Sequence, residues 1–250
     1  MSYVVTGASR GIGLELIKQL LDLPASQVTK VFALTRSTPP AALQTLLDKH
    51  ADRAEHITAS VNDTQSVQQA AQAVEAKLEG KGLDVLINNA GIFGAVSTNG
   101  ATSIPPEELA RVLDVNVVGP HRMMSAFLPL LEAGKQKKVI NITSTLGSLA
   151  LSEHYTFAPV PPYKVSKTAL NMLNKQYALE YKGRGFTFLA VSPGWLKTDL
   201  GGPHADLDVD VGVAEVIRIT LEATPEQNGQ ALNIRVPGME ERYDGKVVPW

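Results

Sequence analysis

The chain has 250 residues, 44% of them hydrophobic, enough for one full-sized core, and α/β folds of this length commonly close as a single domain. A formal net charge of -2 with no block of basic residues leaves no electrostatic footprint for a nucleic acid or an anionic membrane, so small-molecule chemistry is expected. Cysteine is absent, which excludes disulfides, thiol nucleophiles and thiolate metal sites, and the five histidines show no paired ligand spacing, so no metal site is expected.

The first apolar run, 3–6, reads as a strand and leads into Thr6-Gly7-Ala8-Ser9-Arg10-Gly11-Ile12-Gly13, after which 14–23 has helical periodicity. A buried strand that ends in a glycine-rich turn opening a helix makes an anion site, because the first helical turn leaves N–H groups unpaired and at positive potential. That suits a dinucleotide pyrophosphate. Gly7 allows the tight turn, Gly11 lets backbone approach the phosphates, and Gly13 lets the helix pack close to the strand. With a strand expected this early and no apolar run of membrane-spanning length, neither a leader nor a membrane span is expected, and the default location is cytoplasmic.

Further strand-like runs fall at 31–35, 56–59, 84–88, 138–143, 186–192 and 231–234, with helical stretches between most of them. This alternation predicts a single-domain, Rossmann-type doubly wound α/β fold over 1–250, with about seven mostly parallel strands and helices on both faces. The second strand ends in Thr35-Arg36, where a fold preferring NAD offers an acid to the ribose hydroxyls; a guanidinium instead matches a 2′-phosphate and favours NADP(H). Arg10 is placed to reach the same phosphate. Asp63 precedes the helical stretch Thr64–Leu78 and reads as its N-cap. The fourth strand runs into Asn89-Ala90-Gly91, whose small residues permit close approach of a flat ring or of a neighbouring strand.

Thr6-Gly-x-x-x-Gly-x-Gly13, Asn88-Asn-Ala-Gly91, Asn116, Ser144, Tyr163-x-x-x-Lys167 and Pro193-Gly194 together resemble, in order and spacing, the short-chain dehydrogenase/reductase family over essentially the whole chain. The long segment between Ser144 and Tyr163 and the ending Asp244-Gly-Lys-Val-Val-Pro-Trp250 look most like the carbonyl-reductase branch with its sniffer-like and C-factor-like proteins. The resemblance implies cofactor contacts from Ser9, Ile12, Asn89, Ala90, Gly91, Pro193, Gly194, Leu196 and Thr198, the last toward the carboxamide or phosphate. It also implies that Lys167 bonds the nicotinamide ribose, that Asn116 supports the lysine through a water, and that the chain forms a homodimer or homotetramer through the helices around Asn116 and Tyr163. Ser60 and Val61 are expected to contact the cofactor as well, although Ser60 stands where many relatives carry an acid toward the adenine.

Tyr163 and Lys167 lie four apart on a helix predicted from about 162 to 181, so they share one face, and an adjacent ammonium is expected to lower the phenol's pKa toward neutrality. The phenol then serves as general acid to a ketone or aldehyde oxygen, with Ser144, at the carboxyl end of the fifth strand, holding that oxygen as charge develops. Asn116 sits in an apolar helix, where a polar insertion calls for a purposeful hydrogen bond. The segment 152–162 reads as a wall near the substrate and 195–210 as a mobile flap, and Phe93, Tyr155, Phe157 and Trp195 offer the pocket an aromatic lining suited to bulky apolar carbonyl compounds. Two rival readings stand beside this one: a nucleotide-binding sensor or scaffold without turnover, and an NAD-dependent secondary-alcohol dehydrogenase.

Overall fold

A computed structural model describes all residues, Met1–Trp250. Seven strands, β1 (Ser2–Thr6), β2 (Lys30–Thr35), β3 (Ala54–Thr58), β4 (Val85–Asn88), β5 (Lys138–Ile142), β6 (Thr187–Ser192) and β7 (Ala231–Asn233), form one sheet in the order β3-β2-β1-β4-β5-β6-β7. Every pairing between them is parallel. The helices are α1 (Gly11–Asp22), α2 (Ala41–Lys49), α3 (Thr64–Leu78), α4 (Pro106–Leu113), α5 (Gly119–Ala133), α6 (Pro161–Glu180) and α7 (Val209–Glu222). None is long and apolar enough to cross a membrane.

The inner strands are continuous apolar runs because both of their faces are covered. Successive side chains of β1 alternate between two cores. Tyr3 and Val5 pack with Leu16, Ile17 and Leu20 of α1 and with Val213 and Val216 of α7. Val4 packs on the opposite face with Val67 and Val74 of α3, Met123 and Phe127 of α5, and Tyr177 of α6. Lys138 is buried at the foot of β5, where its ammonium donates to Thr220 O and Leu221 O at 2.9 and 3.0 Å and so satisfies the last carbonyls of α7.

Both sheet edges are managed. Edge strand β3 carries Glu55, which pairs with Lys30 and Lys77 at 2.6 and 3.0 Å, and charge of this kind discourages edge-to-edge pairing. The outer edge of β7 is covered by the chain's last segment, which bridges antiparallel at Leu232 to Val247 and, just beyond the strand, at Arg235 to Asp244.

Some boundaries differ from the sequence expectation. The third strand starts at Ala54 and stops at Thr58, displaced from 56–59, because an edge strand covered on one side only lacks the continuous apolar run that marks the others. The fifth and seventh strands end at Ile142 and Asn233, and α6 starts at Pro161, where a missing N–H costs nothing in a first helical turn.

Candidate active site

The sheet order reverses between β1 and β4, and the crevice beyond their carboxyl ends is where ligands bind in doubly wound folds. Gly7 has φ 68, and a Cβ there would lie 2.9 Å from Ala90 Cα; a Cβ on Gly13 would lie 2.2 Å from Gly7 O. Only glycine lets the turn, the helix and the β4 loop approach so closely. The Thr6 hydroxyl accepts from the N–H groups of Asn89 and Ala90, both at 3.0 Å, and Asn89 Nδ2 donates to Thr6 O at 2.9 Å. Ala90 packs closely against the turn that follows β1, and Asn89, Ala90 and Gly91 also line the cleft. No side chain caps the start of α1 and no acid occupies its first turn, so its N–H donors remain directed at the crevice.

A cleft of about 1140 Å³ runs from this turn across the carboxyl ends of the strands to the chain's last segment. At one end it is lined by Gly7, Ser9, Arg10, Gly11, Ile12, Arg36 and Val61, and then by Asn89, Ala90 and Gly91. Ser60 is not on its surface: the hydroxyl turns to Asn62 Oδ1 at 2.6 Å, and Asn62 lines the cleft instead. Arg10 pairs with Asp199 at 2.8 Å, but both side chains are 73% exposed, so the pair is worth little and exchanges readily. Arg36 is exposed and takes part in no ion pair.

Ser144, Tyr163 and Lys167 meet at the cleft floor. Ser144 follows β5 and opens a short 3-10 turn, Thr145–Gly147, by accepting from Leu146 N at 3.2 Å. Lys167 reaches under Tyr163, its Nζ 5.4 Å from the ring centroid, and donates to Ile142 O at 2.7 Å. Phe93 packs against the phenol ring at a tilt, with centroids 4.8 Å apart. The pKa of Tyr163 is pushed up to about 12 by burial, with the Ser144 hydroxyl acting in the opposite direction. Lys167 is lowered to about 8, again by burial. The phenol's pKa, expected to fall toward neutrality beside the ammonium, is instead raised: burial is the largest cause, and the only lowering contribution comes from the Ser144 hydroxyl.

Asn116 lies behind the cleft wall, not on it, and its helix is not an ordinary apolar one. Residues Asp114–Val118 form a π turn between α4 and α5, in which Gly119 N donates to Asp114 O five residues back. Asn116 is buried and makes three hydrogen bonds: Oδ1 accepts from Ile92 N at 2.9 Å, while Nδ2 donates to Ile92 O at 2.8 Å and to Ser166 Oγ at 3.0 Å. Gly91 fills the space between Asn116 and Lys167, since a Cβ there would lie 3.4 Å from Asn116 Oδ1 and 3.9 Å from Lys167 Nζ.

Pro193, Gly194, Leu196 and Thr198 line the cleft after β6, with Trp195 among them. The stretch expected as a flap is a loop closed on itself: Lys197 N donates to Leu207 O at 2.9 Å, Leu207 N to Trp195 O at 3.1 Å, and Trp195 Nε1 to Gly201 O at 2.7 Å. Tyr155 and Phe157 line the outer cleft from the turns before α6, packed edge to face with centroids 5.9 Å apart.

One wall was missed from sequence. Asp206, Arg242 and Tyr243 all line the cleft. Asp206 accepts from Arg242 Nη1 at 2.7 Å and from the Tyr243 hydroxyl at 2.7 Å, and that hydroxyl accepts from Trp195 N at 3.3 Å. Burial, with Asp206 second, pushes Tyr243 up to about 12 and keeps it a donor. The wall depends on the last segment lying along β7, a pairing that no local pattern announces.

A family model for short chain dehydrogenases matches residues 2–206. The short-chain dehydrogenase/reductase atnB of Arthrinium sp is 38% identical over 205 residues, 79% of this chain and 75% of its own. Among solved structures, the NADPH-bound carbonyl reductase from chicken fatty liver superimposes with a TM-score of 0.89 at 32% identity, covering 100% of this chain and 94% of its own. The carbonyl reductase Sniffer of D. melanogaster gives 0.88 at 29% identity, covering 100% and 99%. A match that spans the chain from β1 through the loop at Asp206, over a sheet that brings its ordered motifs to one crevice, settles the kinship: this chain belongs to the short-chain dehydrogenase/reductase family.

Proposed function

We propose that the protein reduces ketone or aldehyde carbonyls with NADPH, and that Tyr163 is the proton donor. One observation carries the reading: a buried phenol, protonated at neutral pH, stands beside Ser144 and Lys167 where the nucleotide end of the cleft meets its aromatic end. The residues present fit the cofactor. The uncapped N–H groups of α1 and the backbone of Ser9 to Ile12 suit the pyrophosphate, Arg36 and Arg10 the 2′-phosphate, Val61 and Asn62 the adenine, and Pro193 to Thr198 the nicotinamide end. The NADPH bound to the chicken carbonyl reductase supports the same choice. When bound, NADPH supplies hydride equivalents to the carbonyl carbon.

The chain's own groups manage the oxygen and the proton. Ser144 donates to the carbonyl oxygen as negative charge builds there, and Tyr163, kept protonated by burial, gives that oxygen its proton. Charged Lys167 steadies the phenolate left behind. Asn116 fixes the Ile92 backbone and the Ser166 hydroxyl beneath the site, so the floor keeps its shape through the proton transfer. Phe93, Tyr155, Phe157 and Trp195 favour bulky apolar substrates and help to exclude water.

The test is cofactor absorbance on a panel of ketones, aldehydes and quinones. NADPH consumption exceeding NADH consumption at equal concentrations is expected. Tight NADPH binding with no consumption by any carbonyl would favour a sensor, and a preference for NAD with secondary alcohols would favour the dehydrogenase.

The same reading takes the protein as a homodimer, or a homotetramer built from one. Val165, Met172 and Leu179, seven apart on α6, are 47, 60 and 55% exposed and form an apolar stripe on the outer face of that helix.

A further inference from the structure

The residues on either side of Arg36 are held by a hydrogen bond from a buried side chain. Arg36 lies between Thr35, the last residue of β2, and Ser37, the first of the turn leading to α2. The Thr35 side chain reaches past it, its hydroxyl donating to Ser37 O at 2.5 Å. The Thr35 Oγ1 itself lies 2.7 Å from His56 Nε2. A hydroxyl has one hydrogen, already given to Ser37, so Thr35 accepts here and Nε2 carries the hydrogen. Thr35 is buried, and its backbone is engaged as well, Ala59 N donating to Thr35 O at 2.8 Å. Burial lowers the pKa of His56, against an opposing contribution from the Ser37 backbone, and so favours the neutral imidazole.

His56 itself is not on the cleft surface, whereas Thr35 and Arg36 are. A guanidinium that reads a phosphate through two parallel N–H bonds needs a backbone that does not drift, because every degree of freedom frozen on binding subtracts from affinity. The chain from His56 through Thr35 to Ser37 freezes both neighbours of Arg36 in advance. We propose that His56 is a positioning residue for adenosine 2′-phosphate recognition, acting through the Thr35 hydroxyl on the loop that presents Arg36. The proposal rests on the NADPH reading above, and it assigns His56 no contact with the nucleotide.

Direct binding of adenosine 2′,5′-bisphosphate and of 5′-AMP, by calorimetry on the free protein, separates the possibilities. His56→Phe keeps a ring and removes the donor; it should weaken the bisphosphate about three- to tenfold, the worth of one lost hydrogen bond. Binding of 5′-AMP should stay within about twofold. His56→Gln, which can still donate to Thr35, should recover most of the loss, and Thr35→Val, which removes the accepting hydroxyl instead of the donor, should reproduce the selective loss of bisphosphate affinity. Unchanged bisphosphate affinity in both His56→Phe and Thr35→Val overturns the proposal, as does an equal loss for both nucleotides. Wild-type protein that fails to discriminate the two nucleotides overturns the NADPH reading, and the proposal falls with it. A discriminating wild type with indifferent variants overturns the proposal alone.

Discussion

At Tyr163 two effects compete, and their balance sets the pH behaviour. Burial raises the phenol to about 12, so it is protonated throughout the neutral range, while burial of Lys167 brings the ammonium down to about 8. A lysine with a depressed pKa carries its charge below that value and loses it above. Once Tyr163 has given up its proton, a charged Lys167 stabilises the phenolate and a neutral one does not. The kcat/KM for carbonyl reduction should therefore fall as pH rises through about 8, the value to which burial lowers Lys167. A profile that stays flat between about pH 7 and 9 would contradict this. The four-residue spacing of the pair was legible in sequence because a helix puts such residues on one face. The dominance of desolvation was not, since it depends on Phe93 and Ile142, brought in from distant parts of the chain. Asn116 likewise stood out as a polar residue among valines, but the π turn that carries it leaves no mark in composition.

Among the elements, α3 illustrates how local chemistry fixes a boundary. Asp63 accepts from Gln65 N and Ser66 N at 2.9 and 3.3 Å, satisfying two of the four donors a helix start leaves unpaired. Asp63→Ala should lower unfolding stability by about 1 kcal/mol and leave carbonyl reduction unchanged, measured by denaturant melts and steady-state kinetics. A loss of activity with intact stability would move Asp63 into the nucleotide site. This cap was readable directly, as were the continuous apolar runs of β1, β4, β5 and β6, because cap and run are both short-range patterns. Edge strand β3 was placed two residues late: half-exposed, with Glu55 and His56 inside it, it lacks the run that marks a strand covered on both faces. The contact between His56 and Thr35 is not legible in sequence, because the two residues lie on different strands.

At the scale of the whole molecule, one crevice joins groups from widely separated parts of the chain, and the wall of Asp206, Arg242 and Tyr243 exists only because the last segment lies along β7. Such long-range closure was beyond the sequence, whereas the overall architecture was legible from the alternation of strands and helices. The exposed stripe on α6 belongs to this scale too: Met172→Glu should convert a dimer to a monomer in light scattering, and a wild-type monomer would remove the stripe's assigned role. The nucleotide end and the proton-transfer end of the cleft are built from different elements and should separate under mutation. Tyr163→Phe keeps the ring that packs on Phe93 and removes only the hydroxyl. NADPH affinity should remain within about twofold of wild type while kcat for carbonyl reduction falls at least about a hundredfold. Near-wild-type turnover by that variant, with NADPH bound, would contradict the assignment of Tyr163 as proton donor.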